Sequence, residues 1–84
     1  MVTTTLESRA VAIATVVEMF RSGEARRIRI EAGVHQTDLA RDVGVCNTAW
    51  SHWECGQVTP SGDRALAALA LLRSLKAVTN GDSG

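Results

Sequence analysis

The sequence predicts an all-α fold, a compact domain of five helices, and three observations carry that expectation. Apolar residues recur at spacings of three and four over residues 6–20 and 65–75, the period of a helix face. Gly23, Gly33, Gly44 and Gly56 each fall just past a segment that reads as helical. The chain is rich in Ala, Leu and Arg, good helix formers, and has a single Pro. No segment shows the two-residue alternation of a strand, and there is no internal repeat or low-complexity tract.

The first helix is expected over residues 4–21. Leu6, Ala10, Ile13, Val17 and Phe20 share one face, Ala12, Val16 and Met19 widen it, and Thr4 or Thr5 can cap its start. Ser22 and Gly23 then break the pattern. A second helix is expected over 24–32, with Ala25, Ile28 and Ala32 on one face and Gly33 as its stop. A third covers 36–43, with Leu39, Ala40 and Val43 apolar, and Gly44 supplies a position tolerant of positive φ. The fourth covers 47–55 and stops at Gly56. Residues 57–60 connect it to a last helix over 62–78, capped by Ser61, whose stripe is Ala65, Leu66, Leu69, Leu72 and Leu75. Residues 80–84 read as a frayed tail. The implied organisation is an N-terminal element over 1–23, a domain over 24–79 and the tail.

Eighty-four residues are expected to make one small domain, a length too short for a multidomain enzyme with its own cofactor domain. Nine basic residues, eight of them Arg, balance nine acidic ones, so binding to a polyanion has to rest on local charge. Arg21, Arg26, Arg27 and Arg29 cluster before the third helix, Arg41 lies on it, and Arg64 opens the last helix. Two Cys do not make a disulfide framework. No apolar run reaches the ~18–20 residues of a membrane span, and the N-terminus lacks a signal-peptide pattern. The expected location is the cytoplasm, at the nucleoid.

Two short helices joined by Gly44-Val45-Cys46 fit a helix-turn-helix, whose second helix enters the DNA major groove. Around it stands a longer pattern. It runs Arg26-x-x-Arg29-x-x-Ala32-Gly33-x-x-Gln36-x-x-Leu39-Ala40-x-x-x-Gly44-Val45, and then Ser51-x-Trp53-Glu54-x-Gly56-x-x-x-Pro60. In these residues, roughly 24–75, the chain resembles the Xre/Cro-like, lambda-repressor-like family of phage and bacterial repressors.

The resemblance implies roles residue by residue. Gln36 would touch backbone phosphate and buttress the reading helix. Cys46 stands where the family has a Ser or Thr cap beside phosphate, and it caps poorly. Asn47 and Thr48 would reach base edges, with Ser51 and His52 one turn on. Asn pairs with adenine and Thr packs on thymine, so the residue types suit the task. Arg29 and Glu54 would form an ion pair fixing the reading helix to its support. Trp50 departs from the family's Ile or Val and is expected in the core, with Ala40 and Ala49 making room. Trp53 matches the family, and His35 replaces the usual hydroxyl cap. From charge placement, Arg26 and Arg41 are the expected phosphate contacts, and the backbone N–H groups of 57–59 could add to them.

Catalysis and cofactors are not expected. Cys46 and Cys55 would lie ~13 Å apart along a helix, too far to share zinc or a disulfide, and His52 with Cys55 are only two ligands. Cys46 has no His base with an acidic orienter, so no nucleophile is formed.

The first helix poses a separate question, because Leu6, Ile13, Val17 and Phe20 must be buried somewhere. One answer is packing on the last helix of the same chain. The favoured answer is a homodimer interface, since two reading helices ~34 Å apart suit a palindromic operator; the last helix is the second candidate interface. The function expected is a double-stranded-DNA-binding repressor of phage-immunity or Cro-like type. One rival is an antitoxin that holds a toxin protein through the N-terminal helix and autoregulates its operon. Another is a DNA-bending excision or architectural factor.

Overall fold

The computed structural model describes residues 8–81. Among them are five helices and no strand: α1 (Arg9–Ser22), α2 (Glu24–Ala32), α3 (Gln36–Val43), α4 (Asn47–Cys55) and α5 (Gly62–Gly81). None of them is long and apolar enough to cross a membrane.

The expected cap at Thr4 or Thr5 and the apolar Leu6 lie outside the described residues. Helix α1 starts at Arg9, where the Ser8 hydroxyl accepts the Val11 N–H at 3.0 Å. Its far end meets α2 through one residue. Gly23 closes α1 by donating to the Phe20 carbonyl at 3.3 Å, and its own carbonyl accepts the Arg27 N–H at 3.0 Å to open α2. With φ at 88°, that joint strongly favours residues without a Cβ. The limits of α2, α3 and α4 fall where glycine and periodicity place them. Helix α5 is longer than expected and runs through Gly81. No Pro or Gly interrupts it between Gly62 and Gly81, so Asn80 and Gly81 belong to the helix rather than to a tail.

The core sits between α5 and the other helices. Ala65, Ala68, Leu69 and Leu72 form the buried stripe of α5, and they meet Ala12, Val16, Met19 and Phe20 of α1 and Ala25 and Ile28 of α2. Leu39, Ala40 and Val43 of α3 close one end. Trp50 and Trp53 of α4 close another, and Pro60, in the connection to α5, is buried as well. The largest fully buried side chains come from four different helices, Val16 of α1, Leu39 of α3, Trp50 of α4 and Leu72 of α5, while Ala65 and Ala68 line α5.

Of the two places open to the α1 stripe, the chain itself takes its C-terminal part. Phe20 is 4% exposed and sits edge-on to both indoles, with ring centroids 5.3 Å from Trp50 and 5.7 Å from Trp53. Phe20 is thus committed to the core and leaves almost no surface for a second copy. Ile13 and Val17 remain half-buried. Exposed ion pairs join the same helices, Arg9 to Asp63 at 2.8 Å and Lys76 to Glu24 at 3.3 Å, each contributing ~0–1 kcal/mol.

Phe20→Ala is expected to lower the free energy of unfolding by about 3–5 kcal/mol in urea titrations, because it opens a cavity between two indoles. A loss below about 1 kcal/mol would place α1 outside the cooperative core.

Candidate nucleic-acid interface

The site is built on α3, the turn after it, and α4. Gly44, at φ 91°, lets the chain reverse, and the Gly44 and Val45 N–H groups both donate to the Ala40 carbonyl at 2.9 Å. That pattern satisfies the carbonyls ending α3 and aims the chain at α4 within three residues. Cys46 then takes the N-cap position of α4 without a side-chain capping bond, as does His35 before α3.

Helix α4 has two unlike ends. Its inner side is anchored by Trp50 and Trp53, whose rings lie 5.5 Å apart at 50°. Its last turn carries Glu54, whose side chain is 4% exposed and carries a formal charge. Both carboxylate oxygens are answered. Oε2 accepts from Arg29 Nε at 2.7 Å and from the Trp50 indole Nε1 at 2.7 Å. Oε1 accepts from Arg29 Nη2 at 3.1 Å and from Gln36 Nε2 at 2.9 Å. Arg29 also donates to the Val34 carbonyl at 3.3 Å. One carboxylate therefore ties α2, α3 and α4 together. Burial on its own would raise the Glu54 carboxyl; the hydrogen bonds from Arg29, Gln36 and Trp50, with the Arg29 charge, outweigh it and hold the group below its ordinary value.

The arrangement shows how the chain houses the bulk of Trp50. Its ring packs edge-to-face on Phe20 of α1, and its one polar atom finds Glu54. The Trp50 bond was not part of the sequence reading. The signal was present, since Trp50 and Glu54 stand four apart on one helix. Gln36 donates one N–H of its amide to the Glu54 carboxylate of α4, which leaves its second N–H for another acceptor. Above this hub lies a cleft of about 250 Å³ lined by Arg26, Arg29, Gln36, Glu54 and Cys55.

The first turn of α4 faces the other way. Cys46, Asn47 and Thr48 are exposed, and Ser51 and His52 are half-exposed one turn further. Asn47 Oδ1 lies 3.4 Å from the Thr37 hydroxyl, a contact the sequence reading also missed. Arg26 and Arg27 are exposed on α2. Arg41 is exposed and lies 3.7 Å from Asp38, so its charge is partly offset. One expectation is corrected. The Gln57 and Val58 N–H groups turn back to the His52 carbonyl, at 3.0 and 3.4 Å, where they close α4 at Gly56 instead of facing a ligand. Among the described residues, no three His, Cys, Asp or Glu side chains converge as a metal site.

No protein-family model, curated protein or solved structure matches the chain. The resemblance to Xre/Cro-like repressors rests on the motif residues themselves.

Glu54→Ala is expected to cost about 2–4 kcal/mol in urea unfolding, because it removes the carboxylate that answers the largely covered Arg29 guanidinium, the Trp50 N–H and Gln36. The pH dependence has a definite sign. The folded value of Glu54 is depressed, so its contribution is complete above the ordinary glutamate value of about 4.3 and is lost as pH falls through the lower folded value. The stability difference between the native chain and Glu54→Gln should be flat from about pH 7 to 5 and shrink below about pH 4. A difference that stays constant to about pH 2 would contradict the assignment.

Proposed function

We propose that the chain is a sequence-specific, double-stranded-DNA-binding transcriptional regulator that reads the major groove with α4. In this reading it is an operator-binding repressor of phage-immunity or Cro-like type, acting in the cytoplasm at the nucleoid. The observation that carries the reading is the asymmetry of α4. Its last turn is held by the Glu54 network and by the indoles, while its first turn offers Asn47 and Thr48 to solvent. A helix fixed at one end and bare at the other keeps its polar side chains in register with base edges. The leading N–H groups of α4, uncapped by Cys46, suit a backbone phosphate. Arg26, the remaining N–H of Gln36, and Arg41 would add contacts that position the protein without reading sequence.

A chain of zero formal net charge gains little from non-specific attraction, which favours a homodimer on a palindromic operator. Of the α1 stripe, Ile13 and Val17 remain half-exposed and open to a second copy. Beside Val17 runs a groove of about 330 Å³, floored by Phe20 and Trp53 and edged by Val58, which is 49% exposed. That groove also supports the second reading, an antitoxin that holds a toxin protein there and autoregulates its operon. A tight complex with the product of a neighbouring gene would favour it.

Selection of bound duplexes from a random pool at near-physiological salt should enrich a palindrome with half-sites about one helical turn apart, ~34 Å. A pool that enriches no sequence would contradict the proposal. On the selected site, Asn47→Ala should weaken binding by ~1–3 kcal/mol and flatten the preference at one base pair, as read by titration against the four base variants.

A further inference from the structure

We infer that the outer face of α1 is covered by the same face of a second copy, with the two helices antiparallel about a two-fold axis between Ile13 and Ala14. The inference rests on the homodimer part of the reading above and gives it a geometry. Residues 10–17 contain no charged side chain. Their one polar side chain, Thr15, turns its hydroxyl onto the Val11 carbonyl at 2.8 Å, so it does not depend on water. The described residues cover only one side of this stretch. Ala12 and Val16 are buried, whereas Ala10, Val11 and Ala14 are exposed and Ile13 and Val17 are half-buried. The exposed positions of α2 and α3 include Arg26, Arg27, Asp38 and Arg41, as suits helices that face water. A helix that is apolar all round is a buried helix, so this part of α1 calls for a second neighbour.

The order of residues on that face says what the neighbour is. Ala10, Ile13, Ala14 and Val17 stand at the spacing of one helix face and alternate small, large, small, large. Reversed, the same face reads large, small, large, small. An antiparallel copy therefore sets Ile13 beside the partner's Ala14 and Val17 beside the partner's Ala10, each branched side chain meeting an alanine that leaves it room. A parallel copy would set Ile13 against Ile13 and leave a gap between facing alanines. The interface is self-complementary, as a two-fold contact requires, and it brings no like charges together. Val58, 49% exposed, extends the apolar surface beyond Val17 along the groove of about 330 Å³.

The test uses the full chain with Cys46 and Cys55, both exposed and free, changed to Ser, and single cysteines placed on α1. Ala14→Cys lies across the axis from its own copy and should form a disulfide-linked dimer on mild oxidation, within the Cα separation of about 4.4–6.8 Å that the bond needs. Ala10→Cys alone should not, because its two copies stand about 10 Å apart along the helices. Mixed with Val17→Cys it should give the crossed product. Sedimentation supplies the second measurement. The native chain should dimerise with rising concentration, and Ala14→Glu, at an exposed helical position, should melt like the native chain. It should raise the dimer dissociation constant at least about tenfold, because two like charges then meet near the axis. Linkage of Ala10→Cys to itself would show a parallel pair. A native dimer that Ala14→Glu leaves intact would place the interface elsewhere. Either result, or a native chain that is monomeric at every concentration and on its selected duplex, would overturn the inference. The DNA reading fails separately, through a pool that enriches no duplex, and the crosslinks still decide the α1 pairing in that case.

Discussion

A buried carboxylate is tolerable only when its lone pairs are answered, and in this chain the whole arrangement of the central helices depends on how Glu54 meets that demand. Leaving an ion that is shielded from water unpaired costs several kcal/mol, more than most single contacts return. Here three side chains converge on the two oxygens, one from α2, one from α3 and one from α4 itself. Sliding any of these helices would strand the charge, so the pairing selects one register among packings that apolar contacts alone would leave close in energy. Trp50 belongs to this constraint and to the apolar core at once, since its ring packs on Phe20 and Trp53 while its N–H serves the carboxylate.

Much of this was legible in the residues, for identifiable reasons. Gly33, Gly44 and Gly56 stop their helices through positive φ, a requirement that few other residues meet, so the limits of α2, α3 and α4 could be read directly. The pairing of Arg29 with Glu54 came from the motif, because the spacing of twenty-five residues carries no local signal. The Trp50 contribution was less legible, since an indole counts as apolar bulk until its single donor is assigned. The start of α1 was hidden by having several hydroxyl residues in succession, any of which can cap a helix. The destination of the α1 stripe was the hardest to read. Periodicity shows that Val17 and Phe20 lie toward one face, yet it does not tell a neighbour in the same chain from one in a second chain. The two residues in fact divide, with Phe20 in the core and Val17 at its edge.

The same physics links the fold to the proposed activity. Discriminating one base from another depends on a few hydrogen bonds of about 0.5–1.5 kcal/mol each, and such energies are lost if the reading helix wanders. The chain therefore concentrates rigidity behind α4 and leaves polar, short side chains in front. Helix α1 adds to that rigidity through Phe20, which packs on both indoles of α4. An all-helical fold of this size serves many purposes, and the proposed DNA reading rests on the exposed first turn of α4, above all Asn47 and Thr48.

The most direct test of the Glu54 hub is the indole N–H of Trp50, followed by NMR hydrogen exchange across the range of stable pH. If that N–H is bonded to a carboxylate that locks three helices, it should exchange only through global unfolding, with a protection free energy equal to that from urea titration. Exchange markedly faster than global unfolding would show that Glu54 and Trp50 part while the fold persists, and that α4 is held by apolar packing alone.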